Sequence, residues 1–328
     1  MTDPTITESF SPEFPELLID LVLPRQDTED STQDAISRPE AGWPVIVWLH
    51  GGGWRMQDRL ARPDFDRFYA PRGFAMASID YRLAPTWNHP AQVNDLRQAV
   101  RWLKVNADRL GLDADRIGLW GSSAGGHIAA VAALSSHVEL LLWECVPEEF
   151  ADVSTSVTCV AEGYGPAMIA DLLPGLDRPA DMPHTPEEDL MGGPASSPED
   201  HAGLLERARL ASPPLLDCPA PPPFFVLHGT GDTFIPVSDA EALHNHLVDL
   251  GGESLLYVIE GFGHGFLNPG DVMELGPGVV LDNGRLEREP EAPFTSDDKG
   301  SFDPAGRPAS FDLIGDFFAA HLQTTESN

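Results

Sequence analysis

The first residues that could do chemistry lie in the run Gly121-Ser122-Ser123-Ala124-Gly125. A serine hydroxyl is a weak nucleophile at neutral pH. It attacks a carbonyl only when a base takes its proton and a carboxylate orients that base. Gly-x-Ser-x-Gly between a strand and a helix makes a turn so sharp that both neighbours of the serine must be small. Ser123, not Ser122, has that spacing. Downstream, Asp232 closes Gly229-Thr230-Gly231-Asp232, and His264 stands between Gly263 and Gly265. The chain order is therefore nucleophile, acid, base. Glu260, at the end of the strand before His264, competes with Asp232 for the acid. His244 and His246 fall on what reads as a surface helix, His184 and His201 fall in an insertion, and His137 follows the nucleophile helix.

Acyl transfer builds negative charge on the carbonyl oxygen, and backbone N–H groups aimed at it stabilise that charge. His50-Gly51-Gly52-Gly53-Trp54 offers such groups, because glycine lets the backbone approach closely in unusual conformations. Gly52, Gly53 and Ala124 are the expected donors, and His50 is expected to brace the loop. The lack of a following Gly-Lys-Ser/Thr, and of a helix opening at dinucleotide spacing, argues against a phosphate-binding loop. Trp54, Trp87, Phe262 and Phe266 fall near these segments and are expected to line an aromatic substrate pocket. His244 and His246 are two apart, on different sides of a helix, so no metal site is expected, and the chemistry calls for no cofactor.

These groups need a rigid frame. Val45–Leu49, Phe74–Ile79, Ile117–Trp120, Val157–Ala161, Phe224–Leu227 and Leu255–Ile259 are short, β-rich apolar runs, with Leu17–Leu23 as a first candidate strand. Between them lie amphipathic helices. Val93, Leu96, Val100 and Leu103 make one stripe after Pro90; Ala240, Leu243, Leu247 and Leu250 make another. Ile128–Leu134 is a helix of small residues and Phe311–Leu322 a terminal one. Alternating strands and helices predict an α/β fold, a mostly parallel central sheet with helices on both faces. Ligands in such sheets sit beyond the carboxyl ends of the strands, where the 50–54 loop, Ser123, Asp232 and His264 all fall.

Two segments break the alternation. Residues 163–222 are rich in Pro, Gly and Asp, with one helix expected near Leu204–Leu210, and read as a lid or cap. Residues 267–310 read as a pocket wall or a homodimer interface in preference to a disordered stretch. No linker divides the chain, so 1–328 is expected to be one domain.

The net charge of -32 from 52 acidic and 20 basic residues argues against nucleic acid and anionic membranes as partners. Three cysteines, Cys145, Cys159 and Cys218, form neither a disulfide framework nor a zinc site and are read as free, mostly buried thiols. The polar start of the chain carries no signal-peptide pattern, and no apolar run could span a bilayer, so a cytoplasmic protein is expected.

His50-Gly-Gly-Gly-Trp54, Asp80-Tyr-Arg-Leu-Ala-Pro85 and Gly121-Ser-Ser-Ala-Gly-Gly-His127 resemble the hormone-sensitive-lipase-like carboxylesterases. His127 and Trp54-Arg55 look closer to the bacterial feruloyl-esterase-like branch. Gly229-Thr-Gly-Asp232 and Gly263-His-Gly-Phe266 are similar to its acid and base segments. The resemblance covers roughly residues 43–266 and the last helix. It implies the α/β-hydrolase fold and a serine carboxylic-ester hydrolase acting through an acyl-enzyme on a small-molecule ester, with Ser123, Asp232 and His264 as the triad. Amide or formamide hydrolysis is the chemical alternative, and a non-catalytic ligand-binding protein on the same scaffold is the other. Relatives often carry an acid where Ser122 stands, the N-terminal region is short for a two-helix cap, and nothing in the family pattern accounts for 267–310.

Overall fold

The computed structural model describes residues 6–25, 36–179, 181–270 and 280–323. Nine strands form a single sheet: β1 (Ile6–Ser9), β2 (Leu18–Val22), β3 (Trp43–Leu49), β4 (Ala75–Ile79), β5 (Leu112–Ser122), β6 (Cys159–Gly163), β7 (Phe224–Gly229), β8 (Ser254–Ile259) and β9 (Phe294–Lys299). Their spatial order is β1-β2-β4-β3-β5-β6-β7-β8-β9. The strands from β4 to β8 in that order run parallel, while β1, β2 and β9 are antiparallel additions at the edges.

The apolar runs are continuous because the sheet is covered on both sides. In β3, Val45, Val47 and Leu49 enter one core, shared with the helices Ala91–Val105, Ala124–Leu134 and Val237–Asp249. Ile46 and Trp48 point the other way, into a core closed by the helix Phe311–Leu322. Close approach is enforced at Gly118, where an added Cβ would lie 2.9 Å from the Phe318 ring. Substituting it would force that helix off the sheet.

The two anomalous segments take definite places. Within 163–222, the helices Pro186–Met191 and Pro198–Leu210 form, the first started by a reciprocal cap between Thr185 and Glu188. Asn88 donates to the Asp189 carbonyl at 2.9 Å and His89 N–H to that of Leu190 at 2.9 Å, which ties this helix to the body. In 267–310, Phe294–Lys299 pairs with β8 from Ile259↔Phe294 to Ser254↔Lys299, so part of that segment is an edge strand.

Two readings change. The polar start contains a strand, β1. His244 does not face solvent: it is buried, with Nδ1 2.8 Å from Ser254 Oγ, tying its helix to β8. Pro90 stands at the start of its helix as expected, at the cap before Ala91. The three cysteines are free and mostly buried as expected, Cys159 and Cys218 inside and Cys145 exposed. Among the described residues no helix is long and apolar enough to cross a membrane.

Candidate active site

β5 ends at Ser122 and a helix begins at Ala124, leaving Ser123 as the single residue that turns the chain. Its φ of 54° and ψ of -122° are strained for any residue with a side chain. The turn closes only because its neighbours lack side chains. A Cβ on Gly121 would sit 2.4 Å from the Gly125 carbonyl, and one on Gly125 would sit 2.1 Å from Leu49 O. The Ser123 N–H donates to Gly163 O on β6 at 2.8 Å, fixing the elbow against the sheet.

Asp232 follows β7, and His264 follows β8. His264 Nε2 lies 2.7 Å from Ser123 Oγ, and its Nδ1 lies 2.7 Å from Asp232 Oδ2. A carboxylate only accepts, so Nδ1 carries the proton and Nε2 is left to accept from the serine. Asp232 Oδ1 accepts the N–H groups of Phe234 and Ile235 at 2.9 and 3.0 Å. Burial opposes its ionisation, but the bonds from His264, Ile235 and Phe234 outweigh that and hold its carboxyl below the usual range. Glu260, the competing acid, is exposed at the sheet end. His228 lies behind Asp232. It is kept neutral chiefly by burial, and its Nε2 donates to Ile235 O at 3.0 Å.

The glycine loop adopts left-handed backbone at Gly52, Gly53 and Trp54, with φ of 108°, 58° and 58°. Gly53 and Ala124 line a cavity of about 200 Å³ at Ser123 and His264. Ala124 opens its helix, so its N–H has no partner in the helix and is available to a ligand. Gly52 does not line the cavity. It serves the loop's inner turn, where a Cβ would lie 2.4 Å from Met56 O. His50 braces the loop as expected, with its ring stacked on Tyr81 at 4.2 Å and the Tyr81 hydroxyl donating to His50 O at 2.9 Å.

Three of the four aromatic expectations require correction. Trp54 does line the cavity, and its ring N–H donates to His127 Nδ1 at 3.2 Å. Trp87 instead stacks edge-on with Phe14 under Arg82, beside a separate cavity of about 360 Å³ that holds no member of the Ser123–Asp232–His264 set. Phe262 and Phe266 are fully buried in the second core. Proximity in sequence to His264 put them near it, but a strand exit sends side chains below the sheet as well as above it. Phe266 packs on Tyr164 at 4.6 Å, and Tyr164 packs on the His264 ring at 4.8 Å, so they support the histidine from beneath.

Sequence reasoning missed the actual walls: Pro166, Thr185, Pro186, Glu187, Phe234 and Ile235. Phe234 stands edge-on to His264 at 5.6 Å, and its place two residues after Asp232 was the signal available. It also missed Glu162 on β6, which is buried beneath the elbow. Burial raises its carboxyl to about 8, with the Gly165 N–H bonding it and Asp239 adding repulsion.

Ser122 and the 267–310 segment turn out to be joined. Ser122 Oγ donates to Asn268 Oδ1 at 3.1 Å, and Asn268 Nδ2 donates to Asn283 Oδ1 at 3.2 Å. Asp282 N–H donates to His264 O at 2.8 Å, and the Asp282 carboxylate accepts the Gly263 N–H while Arg285 bonds it at 2.7 Å. This segment thus holds the His264 loop in place. Among the described residues no group of His, Cys, Asp and Glu could hold a metal ion.

Comparison with known proteins agrees with this architecture. The chain is 32% identical over 216 residues to esterase LipQ of Mycobacterium tuberculosis, covering 65% of this chain and 48% of that one. It is 36% identical over 149 residues to carboxylesterase NlhH of the same organism, covering 41% and 46%. The chain thus spans about half the length of these curated relatives. Among solved structures, a truncated carbohydrate esterase from gut microbiota superposes with a TM-score of 0.63 at 23% identity over 80% of this chain and 92% of that one. Thermogutta terrifontis esterase 2 phosphonylated by sarin superposes with a TM-score of 0.60 at 21% identity, covering 89% and 94%. These likenesses are to the α/β-hydrolase fold. The BD-FAE family model matches residues 36–247, and with the elbow at Ser123 inside that span the chain belongs to the BD-FAE family.

Proposed function

We propose that this chain hydrolyses small carboxylic esters through an acyl-enzyme on Ser123. The observation that carries the reading is His264, with Ser123 Oγ 2.7 Å from one ring nitrogen and Asp232 2.7 Å from the other. Nε2 takes the serine proton as Oγ bonds to the ester carbonyl carbon, and returns it to the alcohol oxygen as the C–O bond breaks. Asp232 keeps the ring in the required tautomer and stabilises its charged form. The N–H groups of Gly53 and Ala124, with Gly52 shaping the loop, meet the oxyanion. Water, deprotonated by His264, then frees the acid from Ser123.

The 163–222 segment acts as the lid in this reading, since it supplies Pro166, Thr185, Pro186 and Glu187 to the cavity wall. A cavity of about 200 Å³ is below the usual range for drug-sized ligands, which supports a short acyl group. The test is hydrolysis of p-nitrophenyl esters from acetyl to dodecanoyl, with Ser123→Ala as control and a fluorophosphonate probe to label the serine. Turnover should be fastest on short chains and vanish in the variant. Well-folded protein with no turnover and no labelling would overturn the reading.

A further inference from the structure

The short helix Pro186–Met191 opens with three acidic residues, Glu187, Glu188 and Asp189. Two of them spend their charge on arginines: Glu188 pairs with Arg178, and Asp189 pairs with Arg55 at 3.2 Å. Glu187 bonds the Thr185 side chain and feels the Arg55 charge, but it forms no ion pair among the described residues, and it lines the cavity at Ser123. It is the one carboxylate among the described lining residues. The others are apolar or uncharged hydrogen-bonding groups, apart from His264. Opposite in kind stands Phe234, a lining residue that is 43% exposed.

A carboxylate without an ion pair has a cost here. It is partly desolvated, and it faces the space where a tetrahedral intermediate would gather negative charge. A substrate bringing positive charge offsets both, and an aromatic face is a good surface for such a group. A substrate bringing a carboxylate meets repulsion at short range, on top of the field of a chain with net charge -32.

We infer that Glu187 is a specificity-determining residue that makes the Ser123 cavity take esters carrying a quaternary or primary ammonium group and reject esters carrying a carboxylate. This rests on the Ser123 cavity being the substrate site. It does not require that turnover be observed, so the test is made on binding.

Calorimetry on Ser123→Ala, which cannot acylate, compares acetylcholine with its neutral isostere 3,3-dimethylbutyl acetate and with 3-acetoxypropanoate. Acetylcholine should bind about tenfold more tightly than the neutral ester, and the anionic ester more weakly than both. Adding Glu187→Gln should bring the three affinities close together. Adding Glu149→Gln, an exposed change of equal charge, should leave the order intact. Equal affinities in Ser123→Ala, or an order that survives Glu187→Gln, would overturn the inference. Circular dichroism establishes that each variant is folded. Loss of ester turnover across all substrates in the unaltered chain would instead remove the hydrolytic reading and leave this comparison to be judged on the affinities.

Discussion

The indole N–H of Trp54 donates to Nδ1 of His127 at 3.2 Å, joining the glycine loop to the helix that follows Ser123. The other ring nitrogen of His127 donates to Ala211 O at 2.7 Å, just past the helix Pro198–Leu210. One imidazole therefore links three pieces of the site. His127→Phe leaves a buried indole N–H and a buried carbonyl without partners, each worth about 1–3 kcal/mol. Thermal melting should fall by several degrees, and kcat for p-nitrophenyl acetate should drop more than KM rises. An unchanged melting curve would mean that this link is dispensable.

Burial holds three histidines neutral, with pKa values lowered to about 4 for His50, about 3 for His89 and about 4 for His127. An unfolded chain binds those protons near 6.5. The stability they contribute is therefore complete above that value and is lost as pH falls toward 4, at a rate of up to about 1.4 kcal/mol per pH unit for each. Denaturant titrations from pH 7 to 4.5 should show a steep loss, and a flat profile would contradict it.

Glu162 acts in the opposite sense. Its carboxyl titrates at about 8 in the fold, against an ordinary 4.5. The folded state keeps the proton that an unfolded chain gives up, so stability falls as pH rises from 4.5 to about 8, by an amount on the order of a few kcal/mol. Together with the histidines this places the stability maximum near pH 6 to 7. Glu162→Gln should flatten the alkaline side and raise stability at pH 8. If it lowers stability there as much as at pH 5, the carboxyl is not held protonated.

Asp232→Asn should leave the backbone in place, because the amide oxygen can still accept from Phe234 and Ile235, but it no longer fixes the His264 tautomer. A fall in kcat of roughly 10⁴ is expected. A loss of only a few-fold would shift the acid role to another carboxylate, with Glu260 the first to try.

Asp282→Ala removes the acceptor for the Gly263 N–H and for Arg285, the side-chain half of the anchor of the His264 loop, and leaves the Asp282 N–H bond to His264 O. Since Phe262 and Phe266 keep the loop's ends seated in the second core, kcat should fall about tenfold or more while the melting temperature changes little. A large melting shift with unchanged kcat would give this segment a purely structural role.

The parallel strands were legible because β3 to β8 are buried on two faces and so read as unbroken apolar runs. β1 and β9 were not. Phe294–Lys299 exposes nearly all its side chains, and backbone hydrogen bonds to β8, with Phe294 stacked on Tyr257, make it a strand. The buried place of His244 was hidden in the same way, because its partner Ser254 lies on another element.

Ser123, Asp232, His264 and the glycine loop were fixed by local rules: small residues at a tight turn, order along the chain, and position at strand exits. The sequence alone determined these and the layered α/β frame. Which side chains wall the cavity was decided only by the tertiary structure. Trp87 is drawn to Phe14 and Arg82, Phe262 and Phe266 sink into the second core, and Glu187 and Phe234 arrive from segments with no apolar period. Strand periodicity says which face a residue takes within its own element. How loops from different strand exits meet depends on packing across the whole sheet, and no local pattern records it.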